Sequence, residues 1–292
     1  MQCKVILNPV AANGTAKKFH AMILSLLQNH GLQADSVVTH KAGHAEELAV
    51  EAVKDGFDYI VAVGGDGTIH HVANGILSSD GESTLGIIPL GTCNDFIKSL
   101  QIPNNIEGAC QVLAGGQIKR YDIGKVDGRF FVNAAGFGFD AEVVKELRKS
   151  SVPGRMAYMA TVLKHITRYK PSACRIKVNG VEEEQDVFML TVANGSHYGG
   201  QFHIAPRAQV EDGQLDIILV KNASILRRLS ILPHFIKGTH LDKPEVMFFR
   251  ATQFEVTTND SVTLQIEGEL YESKSNRIEF TLLPKRLKIK VP

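Results

Sequence analysis

An α/β protein is expected, with an N-terminal doubly wound domain on a mainly parallel sheet and a mainly antiparallel β domain with helices after it. Three observations lead there. Apolar runs of strand length alternate with segments of helical periodicity up to about residue 122. Glycine-rich loops follow two of those runs, where open α/β sheets collect ligands. Beyond residue 123 the alternation gives way to closely spaced strand signals. A chain of 292 residues has room for two such domains, placed at 1–122 and 123–292.

Residues 3–7 form the first strand and stop at Asn8-Pro9. Phe19, Met22, Ile23, Leu26 and Leu27 then recur at helical spacing, and Gly31 ends that helix. Residues 36–38 give a second strand, and Leu48, Ala49, Ala52 and Val53 a second amphipathic helix. The continuous apolar run 59–63 fits a strand covered on both faces. Ile69, Val72, Ala73, Ile76 and Leu77 make the next helix. Another buried strand fits 85–88, and a last helix fits Ile106, Ala109, Cys110 and Leu113. In the second part, strands at 175–178 and 181–184 flank Asn179-Gly180, a dipeptide suited to a type I′ hairpin turn. Further strands are expected at 187–193, 215–220, 253–257, 262–266, 278–282 and 287–291, with helices near 155–169 and 223–237.

Composition narrows the function classes. With 44% hydrophobic and 22% charged residues the chain is an ordinary folded protein. A formal net charge of +1 offers no global field for nucleic acid. No apolar run is long enough to span a bilayer, and residues 1–30 lack a signal peptide's layout, so a cytoplasmic protein is expected. Cys3, Cys93, Cys110 and Cys174 show no CxxC spacing, which argues against a zinc site or redox pair.

The segment Val63-Gly-Gly-Asp-Gly-Thr68 lies between a buried strand and an amphipathic helix. Gly64, Gly65 and Gly67 let a phosphate approach backbone N–H groups, and Thr68 is placed to cap the helix. Asp66 repels a phosphate but suits a Mg²⁺ ion, its water shell, or a hydroxyl to be deprotonated. A plain glycine-rich turn is the alternative. After the next strand comes Pro89-Leu-Gly-Thr-Cys-Asn-Asp-Phe96, where Gly91, Thr92 and Asn94 supply donors and Asp95 a second carboxylate. An ordinary capped turn is the alternative there. Asn8-Pro9 with Asn13-Gly14 makes a third loop. Loops on neighbouring strands favour one shared site in the 1–122 domain.

These residues resemble the diacylglycerol kinase-like lipid kinases, which include the sphingosine and ceramide kinases, and are most similar to the small bacterial members. The resemblance runs over nearly the whole chain. It rests on Asn8-Pro9 with Gly14, VGGDGTIHHVANGI (63–76), PLGTCNDF (89–96) and Asp122-Ile-Gly124. It continues through NAAGFGFDAEV (133–143), ANGSHYGGQFHIAPRAQVEDGQLDIILV (193–220) and IEGE (266–269). The family resemblance implies an ATP- and Mg²⁺-dependent transfer of the γ-phosphate to a lipid hydroxyl, that of diacylglycerol or a related lipid. It implies ATP contacts at Asn8, Thr39, Gly65, Asp66, Gly67, Thr68, Ile69, His70, His71 and Thr92, to which the loop reading adds Gly64 and Asn94. Asp66, Asp95 and Asp122 match an acidic trio that organises the catalytic Mg²⁺ through water. Asp212, with carbonyls at Gln209 and Gln214, matches a separate structural Mg²⁺ site, and a turn before the strand at 215 is compatible with it.

The catalytic base stays open between two residues. The family usually has Asp-Gly-Glu where this chain has Glu267-Gly268-Glu269. Glu269 matches the position generally assigned as proton acceptor, and Glu267 replaces an Asp also proposed for it. Without the resemblance they read as two exposed strand carboxylates on one face. His70-His71 stands where Asn-Glu is usual, and Gln201 where a third Gly is. The His pair is disfavoured as a metal site because adjacent helical residues diverge. The lipid is expected in a cleft between the domains, lifted from a membrane surface that the protein visits transiently. Candidate contacts are Arg155, Lys164, Arg168 and Lys170 beside Met156, Met159, Val162 and Leu163, and the pair Arg227-Arg228; a solvated helix face is the alternative. The sequence is also compatible with a homodimer. Two other functions compete: a kinase of a soluble substrate of the NAD kinase type, and a lipid-binding pseudokinase suggested by Glu267 and His70-His71.

Overall fold

The computed structural model describes residues 2–79, 82–149, 155–178 and 181–292. The Asn179-Gly180 turn lies outside the described residues, as do the side chains of Asn13, Arg155 and Met156. The chain divides into two compact units, Met1–Ile123 with Pro284–Pro292, and Gly124–Leu283.

The first unit contains β1 (Gln2–Leu7), α1 (Ala11–Gly14), α2 (Ala16–Asn29), β2 (Gln33–Val38), α3 (His44–Lys54), β3 (Tyr59–Gly64), α4 (Asp66–Ser78), β4 (Thr84–Pro89), α5 (Phe96–Leu100) and α6 (Ile106–Gly115), and the chain leaves it along β5 (Gln117–Val126). Strands β2, β1, β3 and β4 pair in that order, all parallel. Every residue of β3 and β4 is buried, because helices cover a parallel sheet on both faces. Register pairs Leu7 with Val63 and Gly64 with Pro89. The loops after β1, β3 and β4 therefore leave one edge of the sheet side by side. That edge carries the candidate residues of the three loops.

The second unit contains β6 (Arg129–Phe131), β7 (Ala134–Gly138), α7 (Phe139–Leu147), α8 (Arg155–His165), β8 (Ser172–Val178), β9 (Val181–Ala193), β10 (Leu215–Lys221), α9 (Ile225–Lys237), β11 (Val246–Ala251), β12 (Gln253–Thr258), β13 (Thr263–Ile266), β14 (Glu269–Glu272) and the start of β15 (Arg277–Val291). Its ladders are antiparallel. Strand β9 is the spine: 181–187 pair with β8, and 189–193 pair with both β7 and β10. From 189 to 193 its alternate residues serve two cores, as the two-residue strand period requires, while a register shift opposite Val220 and Lys221 leaves Phe188 in the same core as Met189. Leu190 and Val192 join Phe137, Ile217, Phe254 and Phe280, whereas Met189 and Ala193 join Phe139, Val162, Phe188 and Phe235 beneath the helices. Strand β15 ends in the first unit, where Ile289 pairs in parallel with Leu85.

The architecture agrees with the expected fold class, and the details differ where local patterning misleads. The strands expected at 181–184 and 187–193 are one, as are those at 278–282 and 287–291, since Gln185-Asp186 and Leu283-Pro284 continue the extended backbone. Strand β7 was not anticipated because Ala-Ala-Gly-Phe-Gly has no alternation to read. Helix α7 directly follows it and adds a third helix to the two expected.

Candidate functional site

Two glycine loops of the first unit touch. A Cβ built on Gly65 would lie 3.0 Å from Gly91 Cα. One built on Gly91 would overlap Gly65 Cα and sit 2.5 Å from Asn94 Oδ1. No side chain fits between the loops. Gly65 is the N-cap of α4, with extended backbone at φ −94° and ψ −172°. Thr68, expected as the cap, is instead inside the first helical turn: its N–H donates to Gly65 O at 2.9 Å. Its hydroxyl has a different task and accepts from Asn8 Nδ2 at 3.1 Å, which fastens the β1 loop to the start of α4. Asn8 Oδ1 in turn accepts from Val10 N–H at 3.2 Å. The first N–H groups of α4 have no carbonyl four residues back, and the helix dipole adds positive potential there. Such an end accepts an anion.

The acidic residues are held by backbone. Asp66 Oδ1 accepts from Asp95 N–H at 2.7 Å and Phe96 N–H at 3.1 Å, so a carboxylate from one loop caps the short helix after the other. Burial first, and then the charge of Asp95, push the Asp66 carboxyl up to about 6 against those backbone donors, which oppose the rise. Asp95 Oδ1 receives Lys98 Nζ at 2.6 Å, a partner one helical turn away that sequence reasoning missed. Asn94 holds a left-handed backbone at φ 49° and spends its side chain on the loop itself. Its Oδ1 accepts from Gly91 N–H, and its Nδ2 donates to Gly91 O and Asn104 Oδ1. Asp122 is buried and accepts from Lys285 N–H at 2.7 Å.

Contacts thus bring together Asn8, the loop Gly64–Thr68 by way of Thr68 and Asp66, and the 91–95 loop. Thr39 is tied to the end of β1 by its N–H to Leu7 O at 2.9 Å, and Thr92 is exposed. Ile69 and His70 have wholly buried side chains; His70 Nδ1 lies 3.2 Å from Asn74 Nδ2. His71 Nδ1 lies 3.5 Å from Glu46 of α3.

Among the described residues no three His, Cys, Asp or Glu side chains converge closely enough to hold a metal ion directly. The Asp66–Asp95 pair, with Lys98 Nζ on Asp95, offers two carboxylates suited to a hydrated Mg²⁺. Asp212 accepts from Gln214 N–H at 3.1 Å, and its N–H donates to Gln209 O at 3.4 Å, which is the turn anticipated before β10. Arg250 contacts Asp216 closely at 2.8 Å and Asp212 loosely at 3.5 Å. Arg207 adds a second positive charge near Asp216, so a cation at Asp212 would have to displace the longer Arg250 contact.

In the second unit Glu267 and Glu269 part company. Glu267 and Gly268 are the two loop residues between β13 and β14, with φ 54° and 79°. Both angles are positive, as a type I′ turn demands. Glu267 is thus a turn residue, not the strand residue that its spacing suggested. Its Oε1 accepts from three successive backbone N–H groups, Val132 at 2.8 Å, Asn133 at 2.7 Å and Ala134 at 3.3 Å. Asn194 and Asn133 build that cradle: Asn194 Nδ2 donates to Val132 O, and the N–H groups of Asn194 and Gly195 donate to Asn133 O. Glu269 begins β14 and is half-buried, and its Oε2 accepts from the Tyr271 hydroxyl at 2.9 Å. Arg129 lies 4.3 Å over the Tyr271 ring. The available signal for this cradle was Glu-Gly between two strand-like runs, a hairpin loop in type.

The helices of the second unit cover an apolar cavity of about 60 Å³. Phe139, Val162, Phe188, Phe202, Ile231 and Phe235 are among its walls. Asp140 and Arg228 are its ionisable members. Burial pushes Asp140 up to about 7. Gln265 connects this carboxyl to the hairpin: its Nε2 donates to Asp140 Oδ2 at 3.4 Å, and its Oε1 accepts from Gly268 N–H at 2.9 Å. Neither residue was singled out from sequence.

Comparison with known proteins gives the family. Residues 2–126 match the diacylglycerol kinase catalytic domain family, and residues 133–291 match the YegS C-terminal NAD kinase beta sandwich-like domain family. A diacylglycerol kinase of Bacillus subtilis (strain 168) is 29% identical over 271 residues, covering 92% of this chain and 89% of the relative. One of Staphylococcus aureus (strain JH9) is 28% identical over 270 residues, covering 92% and 86%. The crystal structure of a diacylglycerol kinase from Bacillus anthracis (str. Sterne) shares the fold, with a TM-score of 0.79 at 23% identity over 100% of this chain and 97% of that one. A second structure from that organism gives 0.84 at 25% identity, over 100% and 95%. The chain belongs to the diacylglycerol kinase family of the bacterial YegS-like type, and it is an ATP-dependent lipid kinase.

Proposed function

We propose that this lipid kinase phosphorylates diacylglycerol or a closely related lipid alcohol at a membrane surface, with Glu269 as the proton acceptor. The contact of Gly65 with Gly91 carries the phosphate side of the reading, because it bares two loops at the N-terminus of α4. Those N–H groups of that first turn not already bonded to Gly65 O would donate to phosphate oxygens, and Asn8 fixes the loop through Thr68. Asp66 and Asp95 would hold a hydrated Mg²⁺, which when bound neutralises charge on the transferring phosphate. The lipid hydroxyl forms the new bond to the γ-phosphorus as the bond to the ADP oxygen breaks, and its proton passes to Glu269. Tyr271 donates to Glu269 Oε2 and orients it. Glu267 cannot share the task with Oε1, whose lone pairs face three backbone donors. Its replacement of the family's Asp is thereby accommodated, which removes a reason for the pseudokinase reading. The names of the relatives support diacylglycerol as the acceptor.

The test is labelled-ATP transfer in separate reactions offering vesicles with diacylglycerol, a sphingoid base or a polyprenol, and NAD in solution. Phosphatidate as the main product is expected. Transfer to NAD, or to another lipid alone, would overturn the acceptor, and nucleotide binding without transfer would favour the pseudokinase.

A further inference from the structure

Among the described residues three arginines are half-buried: Arg129, Arg228 and Arg250. Two of them are satisfied by oxygen. Arg228 donates to Ile166 O and Tyr169 O at 3.0 and 2.9 Å, and Arg250 donates to Asp216 Oδ1 at 2.8 Å. Arg129 has neither a carboxylate nor a carbonyl partner among the described residues, and its contact is the Tyr271 ring at 4.3 Å. A ring face attracts the cation but supplies no oxygen for its five N–H donors. A guanidinium in that state is prepared for an incoming anion, because part of its desolvation is already met in the fold.

Two clamps fix where those donors sit. Asp127 and Gly128 make the two-residue turn between β5 and β6, with φ 51° and 85°, and Asp127 Oδ2 accepts from Lys274 N–H at 2.7 Å. Just beyond β6, the N–H groups of Val132, Asn133 and Ala134 hold Glu267. Arg129 lies between these clamps on one stretch of chain, and Glu269 and Tyr271 lie between them on the other. The bracket sets cation, ring and acid in a row, with Arg129 over the ring and the ring's hydroxyl on Glu269 Oε2 at 2.9 Å. The tyrosine stands between the two charges and keeps Arg129 from closing onto the acid. In the reading above, the lipid hydroxyl meets the γ-phosphoryl group beside Glu269. A planar guanidinium fork matches the oxygens of such a group.

We propose that Arg129 is a further catalytic residue, which donates to the non-bridging oxygens of the γ-phosphoryl group as it passes to the lipid hydroxyl. Arg129 forms no bond and moves no proton; it stabilises the charge on the transferring group. The proposal rests on Glu269 as proton acceptor, and the test separates the two. The full chain and its Arg129→Met and Arg129→Lys variants are compared at saturating ATP and lipid. Arg129→Met should lower kcat about 100- to 1,000-fold with little change in KM for ATP. Arg129→Lys keeps the charge without the fork and should fall between. ADP affinity by calorimetry should be equal in all three, because ADP lacks the γ-phosphate. A double-mutant cycle with Tyr271→Phe tests the route. A phosphate contact costs the same factor with or without the Tyr271 hydroxyl, whereas an effect relayed through that hydroxyl to Glu269 vanishes once it is gone. Near-normal kcat in Arg129→Met would overturn the proposal, as would weakened ADP binding or a loss that disappears with Tyr271→Phe. If Arg129→Met does not fold, Arg129→Lys decides alone, and a kcat equal to that of the unmodified protein would count against the contact. Normal turnover in Glu269→Gln beside a slow Arg129→Met would sink the base and keep the phosphate contact.

Discussion

The loop at 64–68 and the hairpin at 266–269 both present an acid next to glycine, yet they are built on opposite principles. At Gly65 the glycines admit a neighbouring backbone, and Asp66 reaches across to donors in the adjoining loop. At Gly268 the glycine serves a tight turn, and Glu267 reaches back to Val132–Ala134 from more than 130 residues away. Backbone-built phosphate sites show themselves as glycine runs after buried strands. Side-chain sites made by distant segments do not, because identical carboxylates two positions apart can be an anchor and an acid–base group.

Among the loop substitutions the largest effect should come from Asp66→Asn. Asparagine Oδ1 can keep accepting from Asp95 and Phe96, so the melting temperature should hold or rise while the maximal rate falls by about a thousandfold. Turnover near normal would reduce Asp66 to a capping residue. Gly91→Ala forces the two loops apart and should cost about 1–3 kcal/mol by overpacking, read from denaturant midpoints. ATP-dependent kcat/KM should fall about a hundredfold from misplaced phosphates. An alanine variant with unchanged KM for ATP would show that the loop contact is incidental.

Asp140 sharpens the contrast on the second unit, since its perturbation comes from burial rather than from partners. Its folded pKa is raised to about 7. The folded state therefore binds a proton that the unfolded state has already lost, and stability falls as pH rises from about 4 to about 7. Asp140→Asn should remove that slope and stabilise the protein above pH 7 by on the order of 3 kcal/mol or less. Parallel stability–pH curves for both proteins would mean that Asp140 is not buried as a neutral acid. The smallest effect is expected at Asp212. With Arg250 only loosely engaged there, Asp212→Ala should abolish a Mg²⁺-dependent rise in melting temperature of a few degrees. Identical melting with Mg²⁺ and with a chelator, before and after substitution, would leave Asp212 as a turn residue alone.

Much of the first unit was legible because parallel strands are continuous apolar runs and glycine loops punctuate them. Thr68 misled because a Thr three residues after a glycine pair looks like a cap, whereas Gly65 fills that position and frees the hydroxyl for Asn8. In the second unit strand period located β8, β10 and β12, but β7 hid in Ala and Gly. The motif residues Asn133 and Asn194 were visible only as resemblance. Their work, shaping a cradle for Glu267, depends on pairing between β7 and β9 that no local pattern encodes.

The division of labour between Glu267 and Glu269 is tested most directly by measuring maximal rate and melting temperature for Glu269→Gln and Glu267→Gln side by side, at saturating ATP and lipid. Glu269→Gln should lower the rate by roughly 10²–10⁴-fold with little change in KM or melting temperature, as loss of a general base does. Glu267→Gln should mainly lower the melting temperature, because an amide oxygen accepts less strongly from the three N–H groups than a carboxylate does. The reverse pattern, with normal turnover in Glu269→Gln and a rate loss without destabilisation in Glu267→Gln, would contradict the assignment.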